Sequence, residues 1–226
     1  MRAVFDQHLK EISDDLVTMA QMVRSSIADA TTALLTADRA LAERVIGNDP
    51  VLDELNDKIE DACIWLAATQ QPVAADLRAL LSGMRMAGSL ERMGDLAEHV
   101  AKQARMRYPE QSLPLELQGM FQQMGALCEA LSLNLIEVIR ERNVELAEEI
   151  VRQDGQLDDL HRQLFTIMLR PEWTEDAQHT IDVTLLSRFY ERFGDHACSV
   201  AKRVVHIATG APYAHTHDSD ESTLPE

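Results

Sequence analysis

An all-α fold, built as two tandem antiparallel three-helix bundles related by an internal pseudo-twofold duplication, is predicted by three observations. Aromatic residues make up only 4% of the chain, Leu and Ala are abundant, and β-branched runs are missing, a composition that favours helix over sheet. The block Glu91-Arg-Met-Gly-Asp-Leu-Ala-Glu-His-Val-Ala-Lys102 returns as Glu191-Arg-Phe-Gly-Asp-His-Ala-Cys-Ser-Val-Ala-Lys202, identical at eight of twelve positions. A second block repeats too: Leu41-Ala42-Glu43, Asp49, Leu52-Asp53 and Leu55 reappear as Leu146-Ala147-Glu148, Asp154, Leu157-Asp158 and Leu160. Self-similarity of this kind means two copies of one supersecondary unit, so whatever one unit does is expected twice.

The elements follow in order from punctuation. All seven prolines (Pro50, Pro72, Pro109, Pro114, Pro171, Pro212 and Pro225) are read as standing where a helix begins or stops, because proline removes an amide donor and clashes in a helix interior. With Gly47-Asn48-Asp49, Gln153-Asp154-Gly155 and Gly210 as further breaks, helices are expected over 3–46, 50–69, 73–107, 113–152, 155–169 and 174–209. A capping residue offers a break in the first near Thr36-Ala-Asp38 and in the fourth near Arg142-Asn143. The expected units are 1–109 for the first repeat and 110–210 for the second. The segment 211–226 is too polar to offset its ordering entropy and reads as a flexible acidic tail.

Charge bounds the partners. The balance of 21 basic against 38 acidic residues, net −17, disfavours nucleic acid, whose phosphates are held mainly by Lys and Arg. It suits cations. Three scattered cysteines, Cys63, Cys128 and Cys198, indicate neither a disulfide framework nor a zinc site and read as core residues of a reducing compartment. No stretch has the ~18 apolar residues of a membrane span and the N-terminus has no signal-peptide core, so a soluble cytoplasmic protein is expected.

The chemistry sits in four Asp/Glu-x-x-x-Asp pairs: Asp49/Asp53 and Glu91/Asp95 in the first repeat, Asp154/Asp158 and Glu191/Asp195 in the second. Residues four apart share a helix face, so each pair aims two carboxylates one way, at a cost of ~0.2–0.5 kcal/mol unless something neutralises them. If the chain turns near Pro72, the first two pairs come to the same height within ~3 Å at ~1.5 Å rise per residue; a turn near Glu172 leaves the second two a looser ~7–8 Å apart. Four carboxylates at one level make a hard, all-oxygen site suited to Mg²⁺, Ca²⁺, Mn²⁺ or iron. A single pair in an acidic protein is ordinary solvated charge; pairing and duplication are what argue for a site. On a helical wheel Glu91 and Asp95 lie opposite the stripe Met93, Ala97, Val100 and Ala104, which predicts a shallow surface site. Gly94 and Gly194, mid-helix at ~0.8–1.0 kcal/mol each, indicate close approach of another backbone or a ligand, or tight helix packing.

No Glu-x-x-His, P-loop, Gly-x-Ser-x-Gly or His-Glu-x-x-His motif is present; Asp158-x-x-His161 and Asp176-x-x-His179 only approximate the first. Two readings besides an adaptor stay open: a metal-dependent hydrolase or oxidase using the carboxylates as a two-metal centre, with Glu98 or His99 as base, and a purely structural helical partner.

The duplicated unit, the paired acidic motifs, Gln71-Pro72-Val-Ala-Ala-Asp76-Leu77-Arg78 at the start of the third helix and Glu-Arg-x-Gly-Asp ending each unit together resemble the PhoU family, in its PhoY-like form, over about residues 3–210. The second repeat departs from the pattern, with Thr174-Glu-Asp-Ala-Gln in place of the Asp-Leu-Arg segment. The resemblance implies a cytoplasmic, non-enzymatic negative regulator that links a phosphate ABC transporter component to a sensor histidine kinase. It also implies a homodimer and, in some members, metal clusters (Fe, Mn, Mg or Zn) on the acidic motifs. Phosphate enters only through the resemblance.

Overall fold

The helix breaks fall at the two capping residues. In the computed structural model, which describes residues 2–211 and 213, α1 spans Arg2–Thr36, α2 Arg39–Gln70, α3 Ala75–Arg107, α4 Gln118–Glu141, α5 Val144–Met168 and α6 Ala177–Thr209; a short 3-10 turn, Leu115–Leu117, leads into α4. Asp38 accepts a hydrogen bond from the Leu41 amide at 3.0 Å and starts α2; Asn143, its counterpart in the second repeat, does the same for Leu146 at 3.0 Å and starts α5. Each cap satisfies an amide that the first turn leaves without a partner. Asp176 caps α6 through the His179 amide, and Gly210, at φ 79°, ends it in the left-handed region that glycine tolerates.

Two expected breaks do not occur. Pro50 lies inside α2 and Gly155 inside α5, so the segments expected to end near 46 and 152 run on as single helices. A proline in a helix interior costs ~3 kcal/mol. Burial on both sides of Pro50, of Ala42 and Val45 before it and Leu52 and Ile59 after it, holds the helix together across the defect. Gly155 is exposed, with nothing within 4 Å of the place a side chain would take.

Helix contacts define two layers. The helices α2, α3, α6 and α5 lie side by side in that order, and α1 and α4 pack against each other and across this layer, α1 on α2 and α3, α4 on α5 and α6. Thus α2 and α5 touch only helices of their own repeat, while the repeats meet through α1–α4 and α3–α6. One continuous core runs through both, from Phe5, Met19 and Ile27 of α1 to Phe121 and Leu135 of α4 and Tyr190 and Phe193 of α6. One close contact is Gly125 of α4 against Thr31 of α1: a methyl group at Gly125 would overlap the Thr31 side chain. The Thr31 and Tyr190 hydroxyls share a hydrogen bond of 2.8 Å inside that seam.

The α3–α6 pair is antiparallel and carries the pseudo-twofold relation. Arg107 at the end of α3 meets Asp182 near the start of α6; His99 stacks on Phe189 with ring centroids 5.3 Å apart; Arg78 near the start of α3 lies against Gly210 at the end of α6. These pairs place Gly94 and Gly194 at the same level, midway along the contact. Across the α1–α4 seam Arg24 and Glu129, which occupy equivalent positions in the two repeats, form an ion pair of 2.7 Å. All three cysteines are buried and free. Among the described residues no helix is long and apolar enough to cross a membrane. The tail expected at 211–226 falls, apart from Ala211 and Tyr213, outside the described residues.

Candidate functional site

The four acidic pairs come together as two grooves, one per repeat. Gly94 lets α2 approach α3 so closely that a methyl group there would overlap Leu52, with Asp49 Oδ1 3.6 Å away; at Gly194 the same methyl would overlap Asp154 Oδ1 and lie 2.7 Å from Leu157 Cδ1. It is tight helix packing, the second of the two readings of these glycines, that occurs: side chains of the neighbouring helix, not another backbone, fill the space. Leu52 and Leu157, one position before Asp53 and Asp158, bolt α2 to α3 and α5 to α6 and carry the acids into register.

The surface placement expected from the helical wheel needs correction. Asp49, Glu91, Asp95, Asp154, Asp158 and Glu191 are half-buried, and only Asp53 and Asp195 are exposed. The wheel marks the stripe facing the core but not the flank of α3 against α2, where a glycine takes the place of a larger contact residue.

Electrostatics confirm the gathering. Asp49 is pushed up to about 6, first by burial and then by the negative charges of Glu98, Asp53 and Asp95. Burial likewise raises Asp154 to about 6, with Asp158, Asp195 and Glu191 adding to it. Asp53, Glu91, Asp158 and Glu191 all shift upward, burial first and the facing carboxylates after it. Each is a carboxylate losing water without gaining enough positive charge in return. The connection between α5 and α6, residues 169–176, is longer than that between α2 and α3, residues 71–74.

Some counter-charge is local. Arg92 reaches Asp95 at 2.7 Å and Glu91 at 3.4 Å, Lys102 holds Glu98 at 2.5 Å, and Arg188 holds Glu191 at 2.5 Å. In the second groove two acceptors, Asp154 Oδ1 and Glu191 Oε2, are buried without a hydrogen-bond partner. The donor set fits a hard cation in kind: all oxygen, concentrated negative charge, and buried acceptors left unsatisfied. As the side chains stand, no three His, Cys, Asp or Glu among the described residues converge on one point that could hold an ion.

Other residues also belong here. Glu98, expected only as a base in the enzymatic reading, lies close enough to raise Asp49, and its place one turn beyond Asp95 is the signal for its membership of the acidic set. His196 sits half-buried between the grooves; burial is the largest influence and lowers its pKa, Arg192 and Arg92 lower it further, and Asp195 and Asp95 oppose them. His161 turns to the Ser187 hydroxyl at 3.0 Å and meets the edge of Phe165.

A duplicated helical unit in which each copy wedges one acid-lined groove against a glycine defines a class of tandem-repeat α protein. The family model for the PhoU domain matches twice, at residues 16–104 and 121–204, and the chain belongs to the PhoU family. It is 44% identical over 211 residues to the phosphate-specific transport system accessory protein PhoU homolog 2 of Mycobacterium tuberculosis, covering 93% of this chain and 99% of that one. It is 30% identical over 224 residues to the PhoU homolog of Rhizobium meliloti, covering 98% and 94%. Among solved structures it resembles PhoU from Pseudomonas aeruginosa, with TM-score 0.81 at 25% identity over 92% of this chain and 100% of that chain. The phosphate transport system regulatory protein PhoU from Streptococcus pneumoniae is equally similar, with TM-score 0.81 at 26% identity over 93% and 99%.

Proposed function

We propose that this protein is a cytoplasmic, non-enzymatic accessory regulator of phosphate uptake that represses the phosphate-starvation response when phosphate is plentiful. The observation that carries this reading is similarity along nearly the whole of both chains to a protein named as a phosphate-specific transport accessory. Its direct partners are a component of the phosphate ABC transporter and a sensor histidine kinase, and it works as a homodimer. Long helical faces joined through one core suit an adaptor that presents fixed surfaces to two partners. Deleting the gene is expected to make phosphate-responsive transcription constitutive in rich phosphate. An unchanged response, in a strain with no second copy of the gene, would contradict the reading.

The two grooves are the proposed metal sites, with Asp49, Asp53, Glu91 and Asp95 in one and Asp154, Asp158, Glu191 and Asp195 in the other. A bound divalent or trivalent cation would supply positive charge to carboxylates that now repel each other, and the second groove's unsatisfied Asp154 and Glu191 oxygens support its reception there. Elemental analysis of protein purified without chelator, repeated on the Asp95→Ala/Asp195→Ala variant, tests this. Equal metal content in the two would return the acids to surface charge.

A further inference from the structure

The two copies of the repeated block diverge just beyond the acidic groove. Cys198 replaces Glu98, Arg203 replaces Gln103 and His206 replaces Met106. The consequence is electrostatic. In the first repeat Lys102 is neutralised by Glu98, four residues before it, at 2.5 Å. In the second repeat the same position holds a buried thiol, and Lys202 has no carboxylate partner among the described residues. Arg203, one residue on, adds a second cation where the first repeat has a buried neutral amide.

Two of these substitutions, Arg203 and His206, face a cavity. Ser199, Lys202, Arg203 and His206, on successive turns of one side of α6, line with Tyr213 an open space of about 290 Å³, with Lys202 Nζ 5.7 Å from the centre of the tyrosine ring. The His206 Nδ1 atom is buried and has no hydrogen-bond partner among the described residues. Arg152 of α5 is already held by Glu149 at 2.6 Å. In a chain of net charge −17, two cations on one cavity wall with no carboxylate partner among the described residues depart from the electrostatic background.

We propose that this cavity binds a phosphoryl group, held by Lys202 and Arg203 with His206 as a further hydrogen-bonding partner, while the Ser199 hydroxyl on the same wall donates to the Asp195 carbonyl at 3.0 Å. A phosphate presents several oxygens around one centre. The forked guanidinium and the point charge of the ammonium answer it from adjacent positions, and the imidazole suits one of its remaining lone pairs. The space admits a small anion or a headgroup rather than a large ligand. This site is independent of the regulatory reading above, since binding to purified protein and transcriptional repression are read separately.

Inorganic phosphate is titrated calorimetrically into the full chain at low ionic strength. In parallel, the chain is sedimented with phosphatidylcholine vesicles with and without phosphatidic acid. Saturable binding is expected to at least one of the two, with free phosphate or the lipid thereby identified as the source. Lys202→Gln and Arg203→Gln should each weaken it at least tenfold, and Lys102→Gln should leave it unchanged. Arg203→Gln restores the residue that the first repeat carries, and circular dichroism confirms that each variant is folded. No saturable binding to either probe would overturn the proposal, and so would binding that survives in the Lys202→Gln/Arg203→Gln double variant or is lost equally with Lys102→Gln.

Discussion

Arg107 grips Asp182 with two nitrogens, Nε to Oδ2 at 2.5 Å and Nη2 to Oδ1 at 2.8 Å, so the end of one repeat's last helix is bonded to the start of the other's. The carboxylate is only 2% exposed, and Gln178 donates to it as well at 3.0 Å. Arg107→Ala leaves this charge buried and unpaired and is expected to cost about 3–5 kcal/mol of stability. The double variant Arg107→Met/Asp182→Leu should recover most of that loss, because an apolar pair needs no counter-charge. Urea midpoints for the three proteins decide it; a double variant no more stable than the single would show that the pair is valued for something other than charge compensation.

Glycines on the same kind of helix should respond oppositely to alanine. At Gly194 the added methyl overlaps Asp154 Oδ1, so Gly194→Ala is expected to lose about 1–3 kcal/mol through overpacking, beyond what helix propensity returns. At Gly155 nothing lies within 4 Å, and Gly155→Ala should gain up to ~1 kcal/mol. Thermal or urea unfolding separates the signs, and a stabilised Gly194→Ala would contradict the close approach of α5 to α6.

The grooves make stability depend on pH in a known direction. Asp49 and Asp154 stand at about 6 in the folded chain against an ordinary value of 3.8, so the folded state binds protons that the unfolded state releases. The stability this contributes is complete in acid below the ordinary value and is lost as pH rises through the folded one. Asp154→Asn should therefore be more stable than the parent at neutral pH, with the advantage shrinking as pH falls from about 6 to about 4. An advantage that grows in acid would have the wrong sign.

Cations should act on the same groups. If a groove binds a divalent ion, Mn²⁺ or Mg²⁺ should raise the unfolding temperature of the parent, by about 2.7 kcal/mol of stability at one hundred times the dissociation constant. Asp49→Asn/Asp154→Asn should abolish that increment. A metal-independent melting curve in the parent, measured after dialysis against chelator, would count against both grooves.

Residues that act locally were the legible ones. Asp38 and Asn143 announce α2 and α5 because an N-cap works over three residues, and the acid pairs point together because four residues make one turn. Pro50 misled: its local penalty is real, but the core contacts that override it come from α3, far along the chain. The half-burial of the acids was hidden for a related reason, since it depends on Gly94 and Gly194 admitting Leu52 and Leu157 from another helix. Arg107–Asp182 and His196 between the grooves join residues whose separation follows no helical period, and only the crossing of α3 and α6 reveals them.

Joining the two units in one polypeptide has a genetic consequence. An assembly of identical subunits must carry every substitution on both sides, so a charge useful at one end is imposed on the other. Here residue 98 is a glutamate and its counterpart at 198 a cysteine, a difference that two identical subunits could not carry. Near-symmetric halves were thereby free to specialise without giving up the shared interior that keeps them folded.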